Sequence, residues 1–230
     1  VDGIYDRPFV STFHSLGIHV LRGNAKKIGL TSHFSIFDQD DSTRAIKEAL
    51  REKNLDPKQF DPGRIRNVIS RHKGDLVTQE EYSAQAEDYF PKIVAGVWER
   101  YEKILAKEKG LDFDDLILKT VKLFQADKEI LAHYQNRWQY LHVDEYQDTN
   151  ASQYELTRLL SGDRHNICVV GDSDQNIYGW RGANLRNLLN FEKDYPEATV
   201  VLLEENYRST QTILEVANAV IRKNKIRKEK

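Results

Sequence analysis

Two adjacent carboxylates, Asp144 and Glu145, end an apolar run (Tyr140, Leu141, Val143). A second apolar run (Ile167, Cys168, Val169, Val170) ends in Gly171, Asp172, Asp174 and Gln175. An acid pair at a strand tip has specific uses: Asp144 can hold Mg²⁺, directly or through water, while Glu145 polarises a water for attack on a γ-phosphate. The plainer reading has Asp144 capping the next helix and Glu145 solvated. A nuclease built on Asp144, Glu145, Asp172 and Asp174 is a weaker alternative, because it needs two close metals. Gln175 is an uncharged side chain able to sense a γ-phosphate, and Tyr178, Trp180 and Arg181 follow it in a glycine-flanked loop. Aromatics beside an arginine there make poor core and a good platform for unpaired bases, each stack contributing roughly 1–3 kcal/mol. A phosphate sensor and a base platform on one short segment would couple hydrolysis to movement of the bases.

The elements that position these residues follow from periodicity. Both apolar runs read as buried parallel strands, and Tyr154, Leu156, Leu159 and Leu160 keep helical spacing between them. The unit is therefore strand, helix, strand, with acids at both carboxyl ends, the edge where open α/β sheets bind ligands. Upstream, Phe9 and Val10 read as a short strand, and Ser11 or Thr12 caps a helix starting near Phe13. DDSTRAIKEALREKNL reads as a capped amphipathic helix with Ile46, Ala49 and Leu50 on one side, and residues 64–109 are nearly all helical in pattern, in two runs. That all-helical block between α/β segments reads as an inserted subdomain. Arg64, Arg66, Arg71, His72 and Lys73 form a basic cluster, either a solvated helix face or a nucleic-acid-facing patch. Asp112, Asp114 and Asp115 sit in the first turn of a helix burying Leu116, Ile117, Val121 and Phe124, where the helix dipole favours them over a metal role. Downstream come a helix through Leu185, Leu188 and Leu189, a strand over Val200–Leu203, and a last helix over 212–221 capped by Ser209 or Thr210.

A net charge of −2 offers no global basic field, so any nucleic-acid contact must be local. The single cysteine, Cys168, falls in a predicted buried strand, which fits a core residue in a reducing compartment and excludes an intramolecular disulfide. No apolar stretch approaches a bilayer-spanning length and no signal-peptide pattern opens the chain, so the expectation is an intracellular, cytoplasmic protein with no membrane partner. The 230 residues contain no methionine, and the sequence reads as an excerpt of a longer protein.

DEYQDTN, VVGDSDQNIYGWRGA and LLEENYRST, in that order, resemble the motifs of superfamily 1 DNA helicases of the UvrD/PcrA/Rep group, and TFHSLG and LDFDDLI extend the resemblance over nearly the whole chain. The resemblance implies a partial RecA-like, P-loop NTPase-type parallel sheet domain of class α/β with an inserted all-helical subdomain. Residues 1–40 and 111–221 would be the motor domain, 41–110 the insertion, and 222–230 a basic tail starting a linker. It further implies ATP and Mg²⁺ as cofactors, with Asp144 on the metal, Glu145 as base, Gln175 on the γ-phosphate, Tyr207 on the adenine and Arg208 on the γ-phosphate. Thr12, His14, Tyr178, Trp180 and Arg181 would contact single-stranded DNA or single/double-strand junctions, with 3′ to 5′ translocation as the activity. No Gly-Lys dipeptide occurs, so the phosphate loop GxxxxGK[ST] is absent from these residues. The expectation is that this loop and a second motor domain lie outside the chain, leaving it negligible ATPase activity alone. A non-catalytic single-stranded DNA-binding or docking module is the alternative.

Overall fold

The computed structural model describes residues 7–223. Residues 1–6 of the expected motor segment and 224–230 of the basic tail lie outside the described residues. The chain divides into two compact units, one ending at Tyr134 and one beginning at Gln135. The protein is mixed α/β, mostly helical, with small parallel sheets. No helix among the described residues is long and apolar enough to cross a membrane.

In the first unit, α1 (Phe13–Gly23) starts where Thr12 Oγ1 accepts the Ser15 N–H at 3.2 Å and buries Gly17, Val20 and Leu21. Phe9 and Val10 are exposed and form no strand, correcting the sequence reading: no strand pairs with them among the described residues, and an isolated extended segment has nothing to close its backbone hydrogen bonds. β1 (Ser35–Phe37) leads into α2 (Gln39–Glu52), whose capping box joins Asp38 and Asp41 and whose inward face is Ile46, Ala49 and Leu50 as expected. α3 (Pro62–Gly74), capped by Asp61 with proline in its first turn, follows. The long helical pattern then breaks into α4 (Gln79–Gln85) and α5 (Tyr89–Lys107). Pro91 explains the restart: it is tolerated in a first turn, where its missing N–H has no helical partner to lose, and not in an interior. Leu50, Ile65, Ile69, Val97 and Trp98 form the centre of the helical core.

β2 (Gly110–Asp112) pairs parallel with β1, Ile36 opposite Leu111, and feeds α6 (Phe113–Ala126). Leu116, Ile117, Val121 and Phe124 are buried there as expected. Asp112 and Asp115 close a capping box and are themselves buried, because Lys73 reaches them from α3. This corrects the reading of the basic cluster at Lys73, while Arg64 and Arg71 are exposed. Lys73 is neither solvated nor outward-facing, Arg64 lies over the Phe90 ring, and Arg66 donates to Thr43 Oγ1.

α7 (Lys128–Arg137) precedes the second unit's sheet, in which β3 (Leu141–Val143) and β4 (Ile167–Val169) are parallel, Leu141 opposite Ile167. α8 (Ala151–Ser161) joins them, as periodicity predicted. The strands are only half-buried, and Cys168 is exposed. Side chains alternate along a strand, so Cys168 faces away from Ile167 and Val169, and the core placement expected for it is wrong. α9 (Arg186–Leu189) and α10 (Phe191–Asp194) are short, and α11 (Gln211–Ile221) follows Thr210. Val200–Leu203 is exposed and unpaired with any strand among the described residues, so the predicted strand is not formed.

Candidate functional site

The acid pair sits on a defect in the sheet. Val170 N–H donates to Val143 C=O at 2.8 Å, and Tyr146 N–H donates to Val170 C=O at 2.9 Å. A regular parallel ladder spaces those two partners two residues apart; here they are three apart, so β3 ends in a bulge carrying one extra residue. Glu145 absorbs it at φ 51°, ψ 43°, a left-handed conformation that costs a non-glycine residue roughly 1–2 kcal/mol. Both carboxylates are consequently exposed at the strand tip, with Asp144 Oδ1 accepting the Glu145 N–H at 2.9 Å. Asp144 does not cap α8. Asn150 does, in a capping box with Gln153, a signal present in the sequence as Asn-x-x-Gln.

One residue the sequence reading passed over lies at the centre of this corner. Gln147 is 1% exposed. Its amide nitrogen donates to Glu145 Oε2 at 2.7 Å, its side-chain oxygen accepts the Asp172 N–H at 3.0 Å, and its backbone C=O accepts from Asn176. Gly171 permits this approach, since a Cβ there would stand 2.8 Å from Gln147 Oε1. Gln175, exposed, donates to Asp172 Oδ2 at 2.8 Å. Beside them, burial raises the Asp148 carboxyl pKa, and the Glu145 charge raises it further. The signal for Gln147 was an amide set between Glu145 and Asp148 in a run of acids.

The aromatic loop is open to solvent. Trp180 is 75% exposed, and the Arg181 guanidinium lies 4.6 Å from the Trp180 ring centroid and 5.8 Å from that of Tyr178. The three side chains form one cationic, π-faced surface, with a tight turn from Tyr178 to Arg181 holding them together.

Other predicted residues stand elsewhere. Thr12 and His14 belong to the first unit. The Thr12 hydroxyl is engaged with Ser15, and His14 packs edge-on to Phe113 at 5.7 Å, its pKa lowered by burial. Tyr207 donates to Glu205 at 2.7 Å, and the Asn206 side chain accepts the Arg208 and Ser209 N–H groups, so these bonds are local to the turn before α11. Asp144 supplies hard oxygen at an exposed edge, which suits Mg²⁺, an ion bound through one or two carboxylates with waters and phosphates completing its shell.

Residues 4–196 match the sequence profile of the UvrD/REP helicase N-terminal domain. The chain is 52% identical to the ATP-dependent DNA helicase PcrA of Bacillus subtilis (strain 168) over 225 residues, 98% of this chain and 30% of that protein. It is 50% identical over 222 residues to the protein of the same name from Staphylococcus aureus (strain Mu50), covering 96% of this chain and 30% of that protein. Against the one from Staphylococcus epidermidis it is 49% identical over 222 residues, with the same coverage of 96% and 30%. The chain thus spans about 30% of the length of these relatives.

Proposed function

The chain belongs to the UvrD/REP helicase family, and from that premise we propose that it forms part of the first motor domain of an ATP-dependent DNA helicase moving 3′ to 5′ on single-stranded DNA. The observation that carries this reading is a continuity of bonds: the bulge that presents Glu145 is hydrogen-bonded through Gln147 to the loop that carries Gln175 and the exposed Trp180 and Arg181. In this proposal residues 1–40 and 111–221 are the RecA-like part, 41–110 the helical insertion, and 222–230 the start of a linker.

Asp144 would hold Mg²⁺, which when bound supplies charge neutralisation to the phosphates. Glu145 orients and deprotonates the attacking water, Gln175 contacts the γ-phosphate, Tyr207 stacks on the adenine, and Arg208 stabilises charge developing in the transition state. Tyr178, Trp180 and Arg181 take the bases, and Thr12 and His14 the DNA backbone. A neutral His14 contributes there as a hydrogen-bond donor rather than as a charge. With no GxxxxGK[ST] loop in these residues, the chain alone hydrolyses ATP negligibly. The exposure of Trp180 supports a second reading for the chain on its own, a non-catalytic single-stranded DNA-binding module.

The test is fluorescence anisotropy of this chain with a short single-stranded oligonucleotide across a salt series. The expected result is binding that weakens with salt and loses roughly 1–3 kcal/mol in Trp180→Ala. A folded chain that binds equally well without Trp180 would remove the platform from the proposal. Mg²⁺-dependent cleavage of the oligonucleotide without ATP would move the acids to the nuclease reading.

A further inference from the structure

Gln147 uses its side chain and backbone on three partners in two segments, and none of these bonds is needed to build the secondary structure around it. The side-chain amide spans the gap between the β3 bulge and the loop after β4, giving its N–H to Glu145 and its oxygen to the Asp172 amide. The Gln147 carbonyl takes Asn176, so the loop is held on both sides of Gln175. Asn176 is two residues from Tyr178, where the platform begins.

We propose that Gln147 is a positioning residue that fixes the direction of the Glu145 carboxylate and transmits its movement to the segment Asp172–Arg181. The proposal rests on the helicase reading and adds a part to it: the path by which the hydrolytic end and the base-stacking end sense each other. The physical case is the amide itself. A buried side chain with one donor end and one acceptor end can bridge a carboxylate and a backbone N–H at once; a carboxylate could serve only the N–H and would repel Glu145, and an alkyl chain could serve neither. Both partners lie on short segments rather than on long elements, and Glu145 holds a left-handed backbone that its neighbours must maintain. Removing the bridge frees the carboxylate to rotate while Asp144, Gln175 and the platform keep their own local bonds.

Two measurements test this. In this chain, hydrogen exchange is followed for residues 170–182. Gln147→Leu is expected to speed exchange there at least tenfold, with the α8 amides unchanged and circular dichroism intact. In the full-length protein carrying the chain, Gln147→Leu and the isosteric Gln147→Glu are expected to lower the DNA-stimulated kcat for ATP at least tenfold. KM for ATP and the nucleotide-free affinity for single-stranded DNA should stay within about twofold, a split that general destabilisation would not give. Activity within twofold of the unaltered protein, or unchanged loop exchange, overturns the proposal. Should neither variant fold, exchange of the Asp172 amide in the unaltered chain reads the bond directly, and a rate equal to that of an open loop overturns it. Glu145→Gln separates the two levels. If it leaves ATP hydrolysis intact, the helicase assignment of Glu145 fails; if it abolishes hydrolysis while both Gln147 variants remain active, only the role of Gln147 fails.

Discussion

The Lys73 ammonium stands 2.8 Å from the Asp112 carboxylate in the interior of the first unit, with both side chains almost wholly removed from solvent. Asp115 at 3.0 Å and Glu102 at 2.8 Å complete the set, and Tyr101 donates to Asp112 at 2.9 Å. Burial by itself would lower the Lys73 pKa, but the charges of Asp112, Asp115 and Glu102 outweigh it and hold it well above the ordinary value. The group ties α3 to the start of α6 and to α5. It sits where the sequence offered a basic patch and an acidic cluster as separate features.

Lys73→Met is accordingly expected to be severely destabilising, because it leaves Asp112 and Asp115 in the interior without their counter-charge. Removing one partner of a buried pair costs about 3–5 kcal/mol. Urea denaturation of the chain measures it, and a loss below about 1 kcal/mol would show that water reaches the carboxylates.

The neighbouring Asp114 gives a pH dependence of opposite sense to the usual carboxylate. Burial, with the Asp112 charge adding, pushes its pKa from 3.8 up to about 7. Between those values the folded chain retains a proton that the unfolded chain has released, so this group makes stability fall as pH rises from about 4 to about 7 and flatten above that. Asp114→Asn should remove that slope from the stability profile. An unchanged slope would place its origin in other groups.

A third expectation concerns helix packing. The added methyl of Gly17→Ala would stand 2.3 Å from the Leu116 carbonyl oxygen, and backbone on α6 cannot rotate aside. α1 must then move away from α6, at an overpacking cost of typically 1–3 kcal/mol. Thermal unfolding of the variant checks it, and a midpoint matching the parent chain would mean that the two helices separate freely.

Much of the local architecture was legible in order. Thr12 before Phe13 marks a helix start that the structure contains, and the amphipathic run through Ile46, Ala49 and Leu50 forms its helix, whereas the caps Asp38 and Asp61 were not singled out in the sequence. The strand, helix, strand unit around Asp144 was legible because apolar runs and helical spacing are local properties of the chain. Cys168, Phe9–Val10 and Val200–Leu203 were not, because burial and strand pairing depend on what lies alongside, and no run of residues states its own neighbour. The break at Gln85 was written in Pro91, three residues into the helix that restarts.

The sequence by itself determined the family, the identity of the acids at the strand tips, and the grouping of Gln175, Tyr178, Trp180 and Arg181, since these are matters of residue type and short spacing. Tertiary structure alone decided that the extra residue of a bulge turns Glu145 outward, that Gln147 joins it to Asp172, and that Lys73 faces Asp112 instead of solvent. Each of those outcomes joins residues from different segments, and its energy depends on distance and burial in three dimensions. Spacing along the chain carries neither.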